Sequence, residues 1–541
     1  MIKYILIGLL FVFTNTYSQY NQQWVDRLNG SGNSFDIANT ILLDEQSNAY
    51  VYCTLYDSLS STDICVVKYS PSGNVLWKYV YPSPGIDQMQ DIYKDAQNFS
   101  YITGYTADSG RIKLLTFKLT PTGDTVWTKV TTIPNHETLI SHSIISDKSN
   151  NIFVLFDGRN VATSRTDFMI IKYNQSGVIL QQKIFEGSPG GDDNGIKLVC
   201  DAQGNIFVGV NSQNTGTAYD IVLYKFDNDL NQIYTKTING TANSDDGVID
   251  MKIASDNNII LTGKIFNSGT QQDIGTYKIN NSNGDIIWSK IYNGIGNDID
   301  LPYALTIDNE NNILVTGYAR NSNQIESEDI ITLKYNSAGN LLWSKIYNDS
   351  TNGTDEGFSI CTDSQNNVYV GGMADHGNRR VGYITLKYDA LGNLLWKGTY
   401  NYIALSEDFI YKIAVNNSQD IFITGISFSN TTDYDVTTIK YARQTGINNN
   451  YETVKDFKLY PNYPNPFNPS TIIRFYNPNK EYTSIKIYDI SGKEITELEN
   501  SVLNSGEHRY IFNAGDLSAG TYFYKIFHGN SEEFGKVVYV K

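Results

Sequence analysis

The strongest constraint on this chain is a pattern of about 50 residues that recurs along most of its length. Its signature is an apolar stretch that ends in lysine, followed by a turn and a second stretch that carries tryptophan, as in residues 329–343. The lysine occurs eight times, at intervals of 50 to 56 residues: Lys68, Lys118, Lys172, Lys225, Lys278, Lys334, Lys387 and Lys440. The repeat is therefore the structural unit of the fold.

The tryptophans test this repeat independently. All six occupy the same position of the pattern: Trp24, Trp77, Trp127, Trp288, Trp343 and Trp396. Gln181 and Tyr234 take the position in the two copies that lack tryptophan. An indole supplies a large flat surface for packing between units, and its N–H requires one hydrogen-bond acceptor.

Each unit has two more strand-like stretches between the tryptophan and the next lysine, such as residues 304–308 and 312–317. An Asp-x-x-x-Asn turn often joins them, as at Asp308 and Asn312, and its side chains can cap the turn. Four short antiparallel strands per unit are typical of a β-propeller blade. The sequence predicts an all-β protein with an eight-bladed propeller at residues 20–444.

The two ends of the repeat complement each other. Trp24 has no lysine strand before it, and Lys440 has no tryptophan strand after it. If the first strand completes the last blade, the ring closes and no long sheet edge stays exposed. We therefore expect this strand exchange to close the ring.

The repeat at residues 22–442 resembles the SBBP family, which is named for a seven-bladed β-propeller repeat. The resemblance implies a ring of four-stranded blades. The family's name implies seven blades, whereas this chain has eight copies of the pattern. A seven-bladed ring is therefore the alternative.

A second domain follows the repeat. Residues 445–456 are expected to form a linker, and four prolines within residues 461–469 predict an extended segment with few backbone donors. Alternating strands then continue to residue 541. This pattern predicts a small Ig-like β-sandwich at residues 457–541.

Four sequence blocks in residues 457–541 resemble the type IX secretion sorting domain, type A. The residues that carry the resemblance are Pro464, Asn465, Pro466, Phe467, Asn468, Pro469, Asp489, Gly492, Gly520 and Tyr522. The resemblance implies a Bacteroidota-type bacterium, the type IX secretion machinery as a partner, and passage through the periplasm to the cell surface or the medium. It leaves open whether the protein is released or surface-anchored.

The N-terminus supports export. Lys3 precedes an apolar run at residues 4–13, and polar residues follow, which predicts a secretory signal peptide at residues 1–19. The run is shorter than the roughly 20 residues that a spanning helix requires, so no transmembrane segment is predicted.

Charge and cysteine content narrow the partners and the redox chemistry. The net charge of −16 argues against nucleic acid as a partner, because phosphate binding requires a clustered positive surface. Cys53 and Cys65 fall on successive strands of one unit, where they either form a disulfide or remain thiols. Cys200 and Cys361 lie in different units and are expected to be buried thiols.

The sequence has no catalytic or metal-binding motif. His136 and His142 are expected to be exposed loop residues, and the acidic pairs at 192–193 and 245–246 to be solvated loop acids. The recurrent lysines are expected to be structural, with a packed stem and an ammonium group paired to aspartate or carbonyl. No cofactor is predicted. Oxygen-rich Asp-x-x-x-Asn turns leave Ca²⁺ as an alternative, although they lack the closing glutamate of a calcium loop.

Three functions remain open. The leading hypothesis is a monomeric, non-enzymatic binding or adhesion module that holds a glycan or protein ligand at one propeller face, because loops at such faces commonly carry function. The alternative is an extracellular hydrolase or lyase with an acidic site near the channel. Its mark would be two or more carboxylates with Arg, Lys or His converging at one end of the channel. A structural component of a surface layer is the third possibility.

Overall fold

The computed structural model describes residues 20–443, except 60, 109, 187–190, 215, 217, 321–327, 350–352, 376–380 and 402–406, and residues 457–541, except 464, 505, 516 and 530. The predicted signal peptide and linker and Pro464 lie outside the described residues. The chain divides into two compact units, Met1–Arg443 and Gln444–Lys541. All 39 regular elements of the described residues are β-strands.

Within the described part of the first unit, the strands form eight four-stranded antiparallel sheets, numbered here as blades 1 to 8. The first strand of each blade is its inner strand: β2 (Ile37–Leu43), β6 (Ile86–Lys94), β10 (His136–Ser146), β14 (Asp193–Cys200), β18 (Gly247–Ile253), β22 (Asp300–Ile307), β26 (Glu356–Thr362) and β30 (Asp408–Val415). The second strands are β3 (Ala49–Asp57), β7 (Ser100–Asp108), β11 (Ile152–Asn160), β15 (Ile206–Asn214), β19 (Ile259–Asn267), β23 (Ile313–Arg320), β27 (Val368–Asp375) and β31 (Ile421–Ser429).

The remaining strands complete the blades. The third strands, which end with the recurrent lysine, are β4 (Ser61–Tyr69), β8 (Arg111–Leu119), β12 (Thr166–Tyr173), β16 (Ala218–Phe226), β20 (Gln271–Ile279), β24 (Glu328–Tyr335), β28 (Val381–Tyr388) and β32 (Asp433–Arg443). The outer strands, which carry the tryptophan position, are β5 (Val75–Val80), β9 (Thr125–Thr131), β13 (Ile179–Phe185), β17 (Gln232–Ile238), β21 (Ile286–Tyr292), β25 (Leu341–Tyr347), β29 (Leu394–Tyr400) and β1 (Tyr20–Leu28).

The inner strands contact one another in sequence around a closed ring, from blade 1 to blade 8 and back to blade 1. They therefore surround a central channel, and the outer strands form the rim. The predicted eight-bladed propeller is confirmed.

The ring closes through β1, which pairs antiparallel with β32 as the fourth strand of blade 8. The Arg27 guanidinium forms an ion pair of 2.8 Å with Asp435 on β32. The Trp24 indole donates to the carbonyl of Pro71 in blade 1, at 3.2 Å. The predicted exchange of the first strand is therefore confirmed.

The hydrophobic core lies between adjacent blades. Phe153 and Leu155 of blade 3, for example, belong to one buried cluster with Val208 and Val210 of blade 4. Because each central strand faces a neighbouring blade on both sides, its apolar run is nearly continuous and almost every residue of β12 is buried. Outer strands instead alternate between exposed and half-buried residues.

The second unit has two sheets. One has the strand order β33-β34-β37, with β33 (Lys458–Tyr463), β34 (Ser470–Asn477) and β37 (Gly506–Asn513). The other has the order β36-β35-β38-β39, with β35 (Glu481–Tyr488), β36 (Glu494–Leu503), β38 (Gly520–His528) and β39 (Ser531–Tyr539). Ile473 and Phe475 of the first sheet and Ile485 and Tyr524 of the second share one buried cluster, which fits a small β-sandwich.

Candidate functional site at the channel mouth

Every inner strand has a register shift at the same place relative to its second strand. Such a bulge adds one residue to the strand and redirects the side chains beside it. The extra residue differs in each blade: Asn39, Gln90, His142, Ile196, Ile249, Tyr303, Phe358 and Tyr411. The fold thus presents one variable side chain per blade at a common level of the inner ring.

Aromatic residues meet at this level between blades 6 and 7. The ring centroids of Tyr303 and Phe358 lie 5.1 Å apart, and those of Tyr303 and Tyr318 lie 5.8 Å apart. Tyr303 and Phe358 are half-buried, whereas Tyr318 is buried. The two half-buried rings therefore offer an apolar surface near the end of the channel at which the inner strands begin, called here the channel mouth.

Glu356, the first residue of β26, lies beside these rings. Burial raises the pKa of its carboxyl to about 7, a hydrogen bond from Tyr303 opposes the shift, and the carboxylate of Glu328 reinforces it. The Glu356 carboxyl also lies within hydrogen-bonding reach of Glu328.

Arg320 completes this group. Its Nη2 and Nε lie 2.9 and 3.3 Å from Glu328 Oε1, and its Nη1 lies 3.4 Å from Asp298 Oδ2. Two carboxyl groups, a guanidinium and a phenol therefore meet at the channel mouth. This combination is the one expected of an acidic site near the channel, and Tyr303, Glu328, Glu356, Arg320 and Phe358 are called here the mouth site.

Sequence reasoning did not find the mouth site, because its members come from separate strands of blades 6 and 7. A signal was nevertheless present in the repeat. The strand register shows that Glu356 is the one carboxylate at its repeat position, where the other blades have Ile37, Gln88, Ile140, Asn194, Gly247, Leu301 and Phe409. A comparison of the eight copies position by position would have singled it out.

The two histidines of blade 3 are not exposed loop residues, so that prediction was wrong. Both lie on β10, where His136 Nε2 is 2.9 Å from Asp167 and His142 Nε2 is 2.8 Å from Asp157. Only 5% of the His136 side chain and 26% of the His142 side chain are exposed. The inner strand of blade 3 has 11 residues, more than any other inner strand, and therefore includes both histidines.

Blade 3 also lines two hollows. One, of about 570 Å³, lies against Lys113 and His136, and the other, of about 280 Å³, lies against His142 and Arg159. Arg159 pairs with Glu137 at 3.0 Å. These hollows contain paired charges and lack the stacked aromatic surface of the mouth site.

Asp193 and Asp246 are buried rather than solvated, so the prediction was wrong for these two acids, whereas Asp245 is exposed as predicted. The Asp246 carboxylate accepts N–H bonds of 2.6 Å from Gly240 and from Phe266. Asp193 accepts from the hydroxyl of Ser212. Asp246 thus fixes the loop that leads into β18, and Asp193 links β14 to β15.

The tryptophans join adjacent blades. Trp77, Trp127, Trp288 and Trp343 each donate the indole N–H to a carbonyl in the next blade, at 3.0 to 3.1 Å. A turn glycine lies beneath the ring, as Gly339 does beneath Trp288, with a φ of 82°. A Cβ there would meet the indole at 2.7 Å, so glycine is required for the close approach as well as for the turn. Trp396 instead packs against Tyr20 and Tyr441.

The recurrent lysines also have structural partners. Four pair with the aspartate of an Asp-x-x-x-Asn turn or its equivalent, at 2.5 to 3.2 Å: Lys68, Lys278, Lys334 and Lys440. Lys172 and Lys225 donate to carbonyls of the next blade at 2.8 Å. Lys387 donates to the Tyr20 hydroxyl at 2.9 Å, and Lys118 lies 4.3 Å from the centre of the Phe99 ring.

The Asp-x-x-x-Asn turns use their carboxylates within the turn. Asp308 accepts from the backbone N–H of Glu310 and Asn312 and from the Asn312 side chain, at 2.8 to 3.0 Å. Across the described ranges, no group of three or more His, Cys, Asp or Glu is placed to hold a metal ion. Calcium binding at these turns stays a prediction.

Cys53 and Cys65 lie directly opposite each other on β3 and β4, and both are fully buried. The thiols are free, and Cys53 Sγ lies 3.4 Å from the carbonyl oxygen of Cys65. Cys200 and Cys361 are also free and are half-buried.

In the second unit, the proline-rich block docks against the final strand. Phe467 is buried, and it exchanges backbone hydrogen bonds of 2.9 and 3.0 Å with Val538 and Val540. The Asn465 side chain accepts from the N–H of Val538 at 2.8 Å and donates to the carbonyl of Lys536 at 2.9 Å. Pro466, Asn468 and Pro469 are exposed.

The other sorting-motif residues form two neighbouring turns. Asp489 caps the first turn through the N–H groups of Ser491 and Lys493, and Gly492 has a φ of 82°. Gly520 begins β38, and Tyr522 donates to the carbonyl of Ser518 at 2.7 Å. Both turns line one hollow of about 420 Å³.

Comparisons with known proteins place the second unit in a family. Residues 462–541 match the family described as the secretion system C-terminal sorting domain. A WD-repeat protein of Acanthamoeba polyphaga mimivirus, L264, is 24% identical, with 68% of this chain and 31% of that protein covered. The chain therefore spans about a third of that relative.

Solved structures similar to the chain include propellers. The WD40 domain of SCAP from fission yeast has a TM-score of 0.43 at 10% identity, with 80% of this chain and 97% of that chain covered. The Pan2 WD40 domain of Neurospora crassa has a TM-score of 0.40 at 11% identity, with 67% and 90% covered.

The ring of eight four-stranded sheets defines the first unit as a β-propeller. The family match identifies residues 462–541 as a type IX secretion sorting domain, so the protein is exported to the cell surface or extracellular space. Among the described residues, no helix has the length and apolar character needed to cross a membrane.

Proposed function

We propose that the exported propeller is a non-enzymatic binding protein that holds a glycan at the mouth site. The observation that carries the proposal is the stacking surface of Tyr303 and Phe358 beside Glu356, Glu328 and Arg320. The C–H faces of sugar rings pack against aromatic rings, and their hydroxyls require donors and acceptors at the edge of that surface. The mouth site offers both within one small region.

The fold supports this use of the site. The side chains come from the inner strands β22 and β26 and from the ends of β23 and β24, so paired strands position them before a ligand binds. A site ordered in advance costs less entropy on binding than a flexible loop would. Type IX export then delivers the site to a location where surface or environmental glycans occur.

Substitution of the stacking residues tests the proposal. Tyr303→Ala or Phe358→Ala should weaken the binding of a glycan selected on an array by at least tenfold, about 1.4 kcal/mol, measured by isothermal titration calorimetry. Tyr303→Phe keeps the ring and should retain most of the affinity.

Phe35→Ala serves as the matched control, because Phe35 is an exposed aromatic that packs on Tyr434 between blades 8 and 1. It should leave affinity unchanged. Equal weakening by all the alanine variants, or full affinity in Phe358→Ala, would contradict a stacking site between blades 6 and 7.

A hydrolase is the second candidate, because the Glu356 carboxyl has a pKa of about 7 and could serve as a general acid. The geometry favours binding instead. Glu356 and Glu328 are within hydrogen-bonding reach of each other, whereas retaining glycosidases hold their two carboxyl groups roughly 5 Å apart. Release of reducing ends by the wild type, abolished in Glu356→Gln, would establish the hydrolase.

Export depends on the second unit, and its removal gives a further prediction. A chain that lacks residues 457–541 should accumulate in the periplasm of a host with type IX machinery, because the sorting domain is the part that the machinery recognises. Cell fractionation with immunoblotting measures the distribution. A folded propeller in the periplasm is the required control, and undiminished delivery to the surface would contradict the assignment.

A further inference from the structure

The residue that follows each bulge forms a second level of the inner ring. These residues are Thr40, Asp91, Ser143, Lys197, Asp250, Ala304, Ser359 and Lys412. Four of them are charged, and they come from blades 2, 4, 5 and 8. The mouth site does not include any of them.

These four charged residues lie at one level of the ring of inner strands, and they influence one another's titration. Asp91 raises the pKa of Lys197, which Asp250 reinforces. Burial among the wall atoms lowers the pKa of Lys412 most, the charges of Lys197 and Lys252 lower it further, and Asp250 and Asp91 oppose the shift. Because the inner strands surround the channel, the charged side chains of blades 2, 4, 5 and 8 share one stretch of the channel wall. Lys412 is nevertheless exposed to solvent, as expected for a side chain in a water-filled channel.

The carboxylates of Asp91 and Asp250 accept hydrogen bonds from the backbone of the channel wall. Asp91 Oδ2 accepts from the N–H of Ile144 in blade 3 at 3.0 Å. Asp250 accepts from Met251 at 2.9 Å and from Leu305 in blade 6 at 3.1 Å. Each carboxylate thus links its inner strand to the next one.

The ammonium groups of the channel lysines do not have such hydrogen-bond partners among the described residues. Within the part of the chain that the structure describes, Lys197, Lys252 and Lys412 have neither an ion pair nor a hydrogen bond. The three lysines and the two aspartates carry formal charges of +3 and −2, so this part of the ring has one net positive charge. This local excess of positive charge occurs in a protein whose net charge is −16.

We propose that the channel binds a tetrahedral oxyanion, a sulfate or phosphate group, between Lys197, Lys252 and Lys412. Each ammonium offers three donors on a flexible stem, which suits an anion with oxygens in several directions. The group can be a free ion or an ester on a glycan. This site is independent of the mouth site, because it lies farther along the inner strands and uses different residues.

Calorimetry of the full chain at low ionic strength tests the proposal, with inorganic sulfate, inorganic phosphate and glucose 6-sulfate as probes. Lys412→Gln and Lys197→Gln should each weaken sulfate binding at least fivefold. Lys129→Gln, which makes the same charge change on the outer strand β9, should leave it unchanged. Binding of both sulfate and glucose 6-sulfate points to an esterified ligand, and binding of the free ions alone points to a free anion.

A second measurement uses the wild type, so it tests the proposal even if the variants fold poorly. Sulfate should raise the pKa of Lys412 in the wild type, because a bound anion stabilises the ammonium form, and NMR of methylated lysines detects that shift. An absence of binding for all three probes, or equal affinity in the wild type and both channel variants, would overturn the proposal.

Discussion

Deletion of residues 20–30 is expected to lower the melting temperature of the propeller by roughly 10 °C. The deletion removes β1, the fourth strand of blade 8, and exposes the edge of β32. It also removes the buried partner of Lys387, the Tyr20 hydroxyl, and the guanidinium that pairs with Asp435. The half-buried Trp24, which packs on the core between blades 8 and 1, is lost as well.

Differential scanning calorimetry measures this effect. Gln23→Ala is the control, because Gln23 lies on the same strand and is exposed. It should melt close to the wild type. A deletion variant that melts within a degree or two of the wild type would show that β1 does not close the ring in solution.

A rise in pH from about 4.5 to 7 is expected to destabilise the propeller by several kcal/mol. Burial raises the pKa of Asp36, Asp87, Asp300 and Asp355 to about 6, from an ordinary value of 3.8. A second aspartate from the preceding blade adds to each shift, as Asp63 does for Asp87. These carboxyls therefore prefer the neutral form in the folded protein.

The direction of this change in stability with pH follows from proton linkage. A raised pKa means that the folded state binds more protons than the unfolded state between pH 4 and 6, so stability falls as pH rises through that window. Each carboxyl contributes about 1–3 kcal/mol. Below pH 4 the turn aspartates, such as Asp44 and Asp147, act in the opposite direction, because their pKa values are lowered. Maximum stability is therefore expected near pH 4 to 5.

Urea unfolding at pH 4.5 and 7 tests this expectation. Asp87→Asn removes one of the titrating carboxyls, so the variant should be more stable than the wild type at pH 7 and similar to it at pH 4.5. A wild-type stability that stays constant or increases between these two values would contradict the expected protonation of the buried carboxyls.

Much of the fold could be predicted from the sequence because the repeat is local. A turn glycine, a tryptophan and a lysine recur at fixed spacing, since each blade has to make the same contacts with the next one. Gly339, Trp288 and Lys278 show this, because the indole of one blade lies on the glycine of the next and Lys278 donates to the Ser337 carbonyl beside it. The SBBP resemblance stays a prediction.

The candidate site could not be predicted in the same way. Glu356, Tyr303 and Arg320 come from separate strands of two blades, and the bulge that places Tyr303 has no marker in its own sequence. The prediction for the two histidines of blade 3 failed for the same reason, because their carboxylate partners lie on strands other than their own. Contacts between side chains on different strands depend on the register of those strands, which can be inferred only indirectly from a sequence.

The sequence by itself determined the repeat unit, the strand that closes the ring and the sorting domain, because each depends on residues that recur or lie together along the chain. It predicted eight blades with seven as the alternative, and the structure decided for eight. Only the tertiary structure decided which side chains meet at the mouth and in the channel. Closure of the ring brings residues from distant blades together, and their distances depend on bulges, register and burial rather than on spacing in the chain.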